Sequence, residues 1–195
     1  QEKKFIKVLE EIVKGMWKEV LSKGNFKIDS TYIEEILNKH FSYSRAKIPV
    51  HMDNYCSEIM IPIITANIEK FFSYIETKYQ NIKIKRFQGE KGVYETKPFI
   101  DGDIQIFLRG VADLVIESEI GNEIIDYKTG GANKEQLDYY SIILYEDEKK
   151  AQKYIFNVWK GNIEVHEEIK LTKEGLKEDI IDFLKSSEYS LAEKT

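Results

Sequence analysis

Residues 109–140, RGVADLVIESEIGNEIIDYKTGGANKEQLDYY, constrain the fold of this chain more than any other stretch. Two short apolar runs, 111–116 and 124–127, flank I-G-N-E at 120–123, a pattern that predicts strand, hairpin turn and second strand. Gly130 and Gly131 then break the chain before a helix over KEQLDYYSIILYEDEKKA at 134–151. Polar residues fall where packing alone would not put them. Asp113 interrupts the first run, Asp126 and Lys128 close the second, and Gln136 and Tyr140 lie one helical turn apart.

The rest reads as scaffold. Residues 3–22 carry the apolar stripe of an amphipathic helix, including Val8, Ile12, Val13, Met16 and Trp17. A second helix is predicted from an N-cap at Ser30 or Thr31, with Glu34 completing a capping box, to about Phe41. A third runs over 53–78, kinked or divided by Pro62. Alternation at Ile82 and Ile84 begins a strand region in which Lys83, Lys85, Arg86 and Lys91 form either a solvated face or a phosphate-contacting patch. Ile104, Ile106 and Leu108 give another strand, and a hairpin is expected around Gly161 and Asn162. Thr172 caps a last helix with inner face Leu176, Ile180, Ile181, Phe183 and Leu184. The expected architecture is α/β: a helical portion at 1–80 and a sheet-containing core at 81–195, forming one compact domain. The chain starts inside a helical pattern, which suggests a domain excised from a longer protein.

Composition narrows the chemistry. A net charge of −5 means that any polyanion must be held by local cationic groups or by metal ions. Cys56 is the only cysteine, so no disulfide, cysteine zinc site or iron–sulfur cluster is expected from this chain; a buried apolar role is its expected one. No apolar run approaches the ~20 residues of a membrane span, so no membrane partner is expected. No signal peptide is visible either, and a reducing cytoplasmic setting is the expectation.

Asp113 and Asp126 come from consecutive strands. Antiparallel neighbours lie about 5 Å apart, so the two carboxylates can meet at one end of the sheet. Two anions about 4 Å apart repel by roughly 4 kcal/mol at an effective dielectric near 20. Lys128 is two residues beyond Asp126, on the same strand face, and supplies a counter-charge. Oxygen ligands remain, a set that suits a hard divalent cation, Mg²⁺ or Mn²⁺. Such an ion acidifies a water, which the Lys128 ammonium can orient beside a phosphate. Thr129, Gly130 and Gly131 let backbone approach a ligand closely. The plainer alternative is a surface ion pair worth under about 1 kcal/mol.

In order, G-x-x-D (Gly110, Asp113), D-Y-K-T-G (Asp126 to Gly130) and Q-x-x-x-Y (Gln136, Tyr140) resemble the PD-(D/E)XK nuclease superfamily. The closer likeness is to its RecB-like branch, the nuclease domains of helicase–nuclease repair machines and AddB-type exonuclease subunits. The resemblance implies a restriction-endonuclease-like core, a central mixed β-sheet flanked by helices. It implies Mg²⁺- or Mn²⁺-dependent DNA cleavage of exonuclease type in repair or recombination, beside a helicase domain or subunit. Asp113 and Asp126 would be metal ligands, Tyr127 would offer its backbone carbonyl, and Lys128 would be catalytic. Gln136 and Tyr140 match the branch's extra motif beside the site. V-Y-E-T-K-P-F at 93–99 resembles a segment the branch carries one strand earlier, making Glu95 a further metal candidate. Many relatives carry a metal-contacting histidine on an early helix. Here Ile6 takes that place, leaving His40 and His51 as substitutes, and a DNA- or partner-binding module with weakened turnover as the alternative.

Overall fold

The computed structural model describes residues 7–8, 11–16, 18–19, 28–89, 94–95, 98–101, 104–130 and 133–192. Its centre is the hairpin of β6 (Leu114–Ser118) and β7 (Gly121–Lys128), paired antiparallel from Ser118↔Gly121 to Leu114↔Ile125. The turn is Glu119–Ile120, closed by Ser118 and Gly121, two residues earlier than the I-G-N-E pattern suggests. Gly121 follows it at φ 143°, a backbone region that favours glycine.

Around this hairpin stands a five-stranded mixed sheet of order β1-β6-β7-β8-β9, with β1 at Ile84–Gly89, β8 at Gln152–Asn157 and β9 at Asn162–Val165. Only β7 and β8 run parallel, and helix α3 (Glu135–Tyr145) makes the crossover between them. Two small ribbons complete the β structure: β2 (Tyr94–Glu95) with β5 (Arg109–Gly110), and β3 (Phe99–Asp101) with β4 (Ile104–Ile106).

Strand β7 is paired along both edges and buried on both faces, and its period of two sends alternate residues to different layers. Ile125 and Tyr127 join Leu114, Ile116 and Phe156 in a core shared with α1 (Ser30–Ser44), α2 (Ile61–Lys78) and the N-terminal helical residues Ile12, Val13 and Met16. Ile124 packs on the opposite side with Val115, Ile155, Leu137 and Tyr140, under α3. Residues 124, 126 and 128 therefore look toward α3. The helical portion and the sheet share one continuous hydrophobic cluster. Among the described residues no helix is long and apolar enough to cross a membrane.

Several local expectations shift. Asp29, rather than Ser30 or Thr31, caps α1 by accepting a 2.8 Å hydrogen bond from the Tyr32 amide. The helical span expected over 53–78 is divided just before Pro62, which stands in the first turn of α2. A π-helical stretch, Cys56–Met60, precedes α2 and absorbs the missing proline donor, the Ile61 amide reaching back to the Cys56 carbonyl. Cys56 is buried, and burial, then the Asp53 charge, pushes its thiol up to about 11, as for an inert packing residue. Helix α3 stops at Tyr145, where Glu146 adopts a left-handed φ of 57°. In α4 (Lys173–Ala192), Thr172 Oγ1 does accept from the Gly175 amide, and Leu176 and Ile180 pack inward, but Phe183 is exposed.

A buried ion pair fastens α3 to the sheet. Lys153 on β8 lies 2.5 Å from Asp138, and the other Asp138 oxygen accepts from the Lys170 and Leu171 amides ahead of α4. Burial opposes ionisation of Asp138, but these donors outweigh it and hold its carboxyl below the usual range. Asp138→Ala leaves Lys153 as an uncompensated buried charge. The expected loss is about 3–5 kcal/mol of stability, read from the denaturant midpoint.

Candidate active site

The register Leu114↔Ile125 places Asp113, the residue before β6, beside Asp126 on β7. Asp113 is half-buried and Asp126 fully buried. The Tyr127 amide donates to Asp113 Oδ2 at 3.1 Å. In an extended strand a residue's N–H and C=O point to the same side, so the Tyr127 carbonyl also faces Asp113. Lys128 Nζ lies 2.7 Å from Asp126 Oδ2 and donates to Gln136 Oε1 at 3.1 Å. Gln136 Nε2 donates to the Tyr140 hydroxyl at 2.6 Å. Five of the residues singled out in the sequence thus form one connected constellation, with Tyr127 contributing backbone.

Gly110 makes this possible. A Cβ there would come within 2.9 Å of Ile143 and 3.2 Å of Tyr140, so a glycine lets α3 settle against β5. Gly130 has open space around it and no such packing reason. Gly131 lies outside the described residues.

Electrostatically the pair is uncomfortable. Burial first, then the charge of Asp126 and a hydrogen bond with it, push the Asp113 carboxyl up to about 8, against the Tyr127 amide and Lys128, which pull it down. Asp126 Oδ1 is buried and has no hydrogen-bond partner. Two neighbouring carboxyls with the Tyr127 backbone carbonyl on the side of Asp113 offer oxygen ligands of the kind a hard divalent cation takes while keeping several waters. Among the described residues no group of three or more His, Cys, Asp or Glu converges, so these residues would supply two carboxylates.

The constellation floors a cleft of about 580 Å³. Thr129 and Gly130 also line it, as do Lys14 and Lys18 from the N-terminal helical residues. Those two lysines are the functional candidates that the sequence reading missed. Their only signal was an i, i+4 spacing on a polar helix face. Glu95 pairs with Arg109 through its backbone in β2, but its side chain, like Ile6, lies outside the described residues. Neither substitute histidine lines the cleft: His40 bonds Glu19 at 3.2 Å, and His51 is exposed. Of the basic strand cluster, Arg86 pairs with Glu117 at 3.1 Å, Lys83 and Lys85 are exposed away from the cleft lining, and Lys91 lies outside the described residues.

Comparison of the chain with protein-family models and with curated proteins returns no match.

Two measurements test this geometry. Gly110→Ala should push α3 away from β5 and cost about 1–3 kcal/mol, seen in thermal or denaturant unfolding. The folded Asp113 keeps its proton up to about pH 8, whereas the unfolded chain releases it near pH ~4. Its stabilising contribution is thus fully present below pH ~4 and is lost as pH rises through that higher value. Unfolding free energy of the metal-free protein should fall across this window, and Asp113→Asn should flatten the fall.

Proposed function

We propose that the chain is a Mg²⁺- or Mn²⁺-dependent deoxyribonuclease of exonuclease type, a RecB-like member of the PD-(D/E)XK superfamily with a restriction-endonuclease-like core. The observation that carries the reading is the meeting of the Asp113 and Asp126 carboxyls, from neighbouring strands, in one cleft with the Lys128 ammonium 2.7 Å from Asp126 Oδ2. The mixed sheet with one parallel pair and a crossover helix supports the fold assignment.

Asp113, Asp126 and the Tyr127 carbonyl would hold the cation, with Glu95 as a further candidate. When bound, the ion supplies Lewis acidity and an acidified water next to the scissile phosphate. Lys128, fixed between Asp126 and Gln136, keeps an ammonium at the cleft floor, where it steadies charge gathering on a phosphate oxygen. Gln136 restrains that lysine and is in turn held by Tyr140. Ion binding requires Asp113 to give up its proton, so Mn²⁺ affinity rises with pH toward about 8. A helicase domain or subunit is the partner this reading implies.

The decisive assay is cleavage of linear single- and double-stranded DNA with and without Mn²⁺. Wild type should cut only with metal. Asp126→Ala and Lys128→Ala should each lose at least about 10²-fold in kcat. Equal rates in all three proteins would end the proposal.

A further inference from the structure

The lining of the cleft includes two lysines that the roles assigned above leave unused. Lys14 and Lys18 stand on the N-terminal helical stretch, whose Ile12, Val13 and Met16 are buried in the core. Four residues apart on a helix, they share one side and lie about 6 Å apart along the axis. Both are exposed, and among the described residues neither forms a hydrogen bond or ion pair. Among the described residues, the carboxylates of the same stretch are engaged elsewhere: Glu11 pairs with Lys47 at 3.0 Å and Glu19 with Lys39 at 2.9 Å. Lys14 and Lys18 are thus left facing the cleft.

Charge neutralisation at the floor does not account for them. Asp126 already has Lys128 at 2.7 Å, and a divalent cation would more than neutralise the remaining carboxyl. With three lysines against two aspartates in its lining, the cleft is net positive even before an ion is bound, inside a protein whose overall charge is −5. Concentrating positive potential in a groove suits a ligand with several negative charges in a row, not a single small anion. An ammonium on a flexible stem contacts phosphate without reading bases.

We propose that Lys14 and Lys18 bind consecutive backbone phosphates of the nucleic-acid strand, flanking the phosphate presented to Asp113 and Asp126. The proposal rests on the polynucleotide reading of the cleft given above. It makes the N-terminal helical stretch part of the substrate site, acting on binding and not on the chemical step.

The test uses mixed-sequence single-stranded oligonucleotides, with anisotropy measured in Ca²⁺ over a salt series and steady-state cleavage in Mn²⁺. Wild type is compared with Lys14→Gln/Lys18→Gln and with Lys14→Arg/Lys18→Arg. The glutamine pair should weaken binding by roughly tenfold or more, equally for every sequence. It should lower the slope of log K against log salt by about 1.4, or ~0.7 per lost contact on a single strand. KM should rise with kcat largely kept, calorimetric Mn²⁺ binding should be unchanged, and the arginine pair should restore DNA affinity. A wild type that binds and cuts DNA while the glutamine pair binds equally well overturns the lysine assignment and leaves the nuclease reading standing. Lysine-dependent binding without any cleavage keeps the assignment and ends the nuclease reading. No DNA binding by wild type ends the assignment outright.

Discussion

Two carboxyl groups pressed together at the buried end of a hairpin set the terms for their surroundings. Neither is free to take up water as an exposed aspartate does, and like charges this close repel strongly. The chain offsets that cost locally. The Tyr127 amide bonds Asp113, Lys128 bonds Asp126, and Asp113 retains a proton. Each of these answers is partial, because one oxygen of Asp126 still has no partner. A packing-only role would not explain why the sheet keeps such a pair where leucine or valine would fit.

The architecture keeps the pair in place through features that look unrelated in sequence. Antiparallel register between β6 and β7 brings the aspartates together. The parallel step to β8 requires a crossover, and α3, which makes it, delivers Gln136 and Tyr140 to the same corner. Gly110 sets how close that helix comes, and the Asp138–Lys153 pair fixes it along the sheet. On the other face of β7, Glu123 bonds Lys78 of α2 at 2.5 Å, so the strand is anchored on both sides. A central strand held this way has little freedom to shift register, and its end can carry an unfavourable charge arrangement.

What could be read in advance followed from local periodicities. A strand repeats every two residues and a helix nearly every four, so the co-location of Asp126 with Lys128, and of Gln136 with Tyr140, needed only spacing. The meeting of Asp113 with Asp126 needed the extra assumption of a tight hairpin, which the Glu119–Ile120 turn satisfies. Lys14 and Lys18 were out of reach because their position depends on how a distant helix docks on the finished sheet. The end of α3 was hidden for a different reason: Glu146 takes a left-handed conformation that its side chain does not advertise. The inward face drawn through Phe183 failed because the apolar stripe of α4 is wider than the surface available to cover it. Asp138, Lys153 and His166 gave no pattern at all, being brought together by three separate segments.

The chain of bonds from Asp126 to Tyr140 has a polarity. A lysine ammonium can only donate, so the Gln136 amide must turn its oxygen to Lys128 and its nitrogen to Tyr140. Burial keeps the Tyr140 phenol above its usual pKa, hence protonated at neutral pH. Since its oxygen is already accepting from Gln136, its own hydrogen is unspent in that contact. The corner of the cleft beneath α3 therefore ends in a neutral proton donor oriented by the same lysine that faces the aspartates.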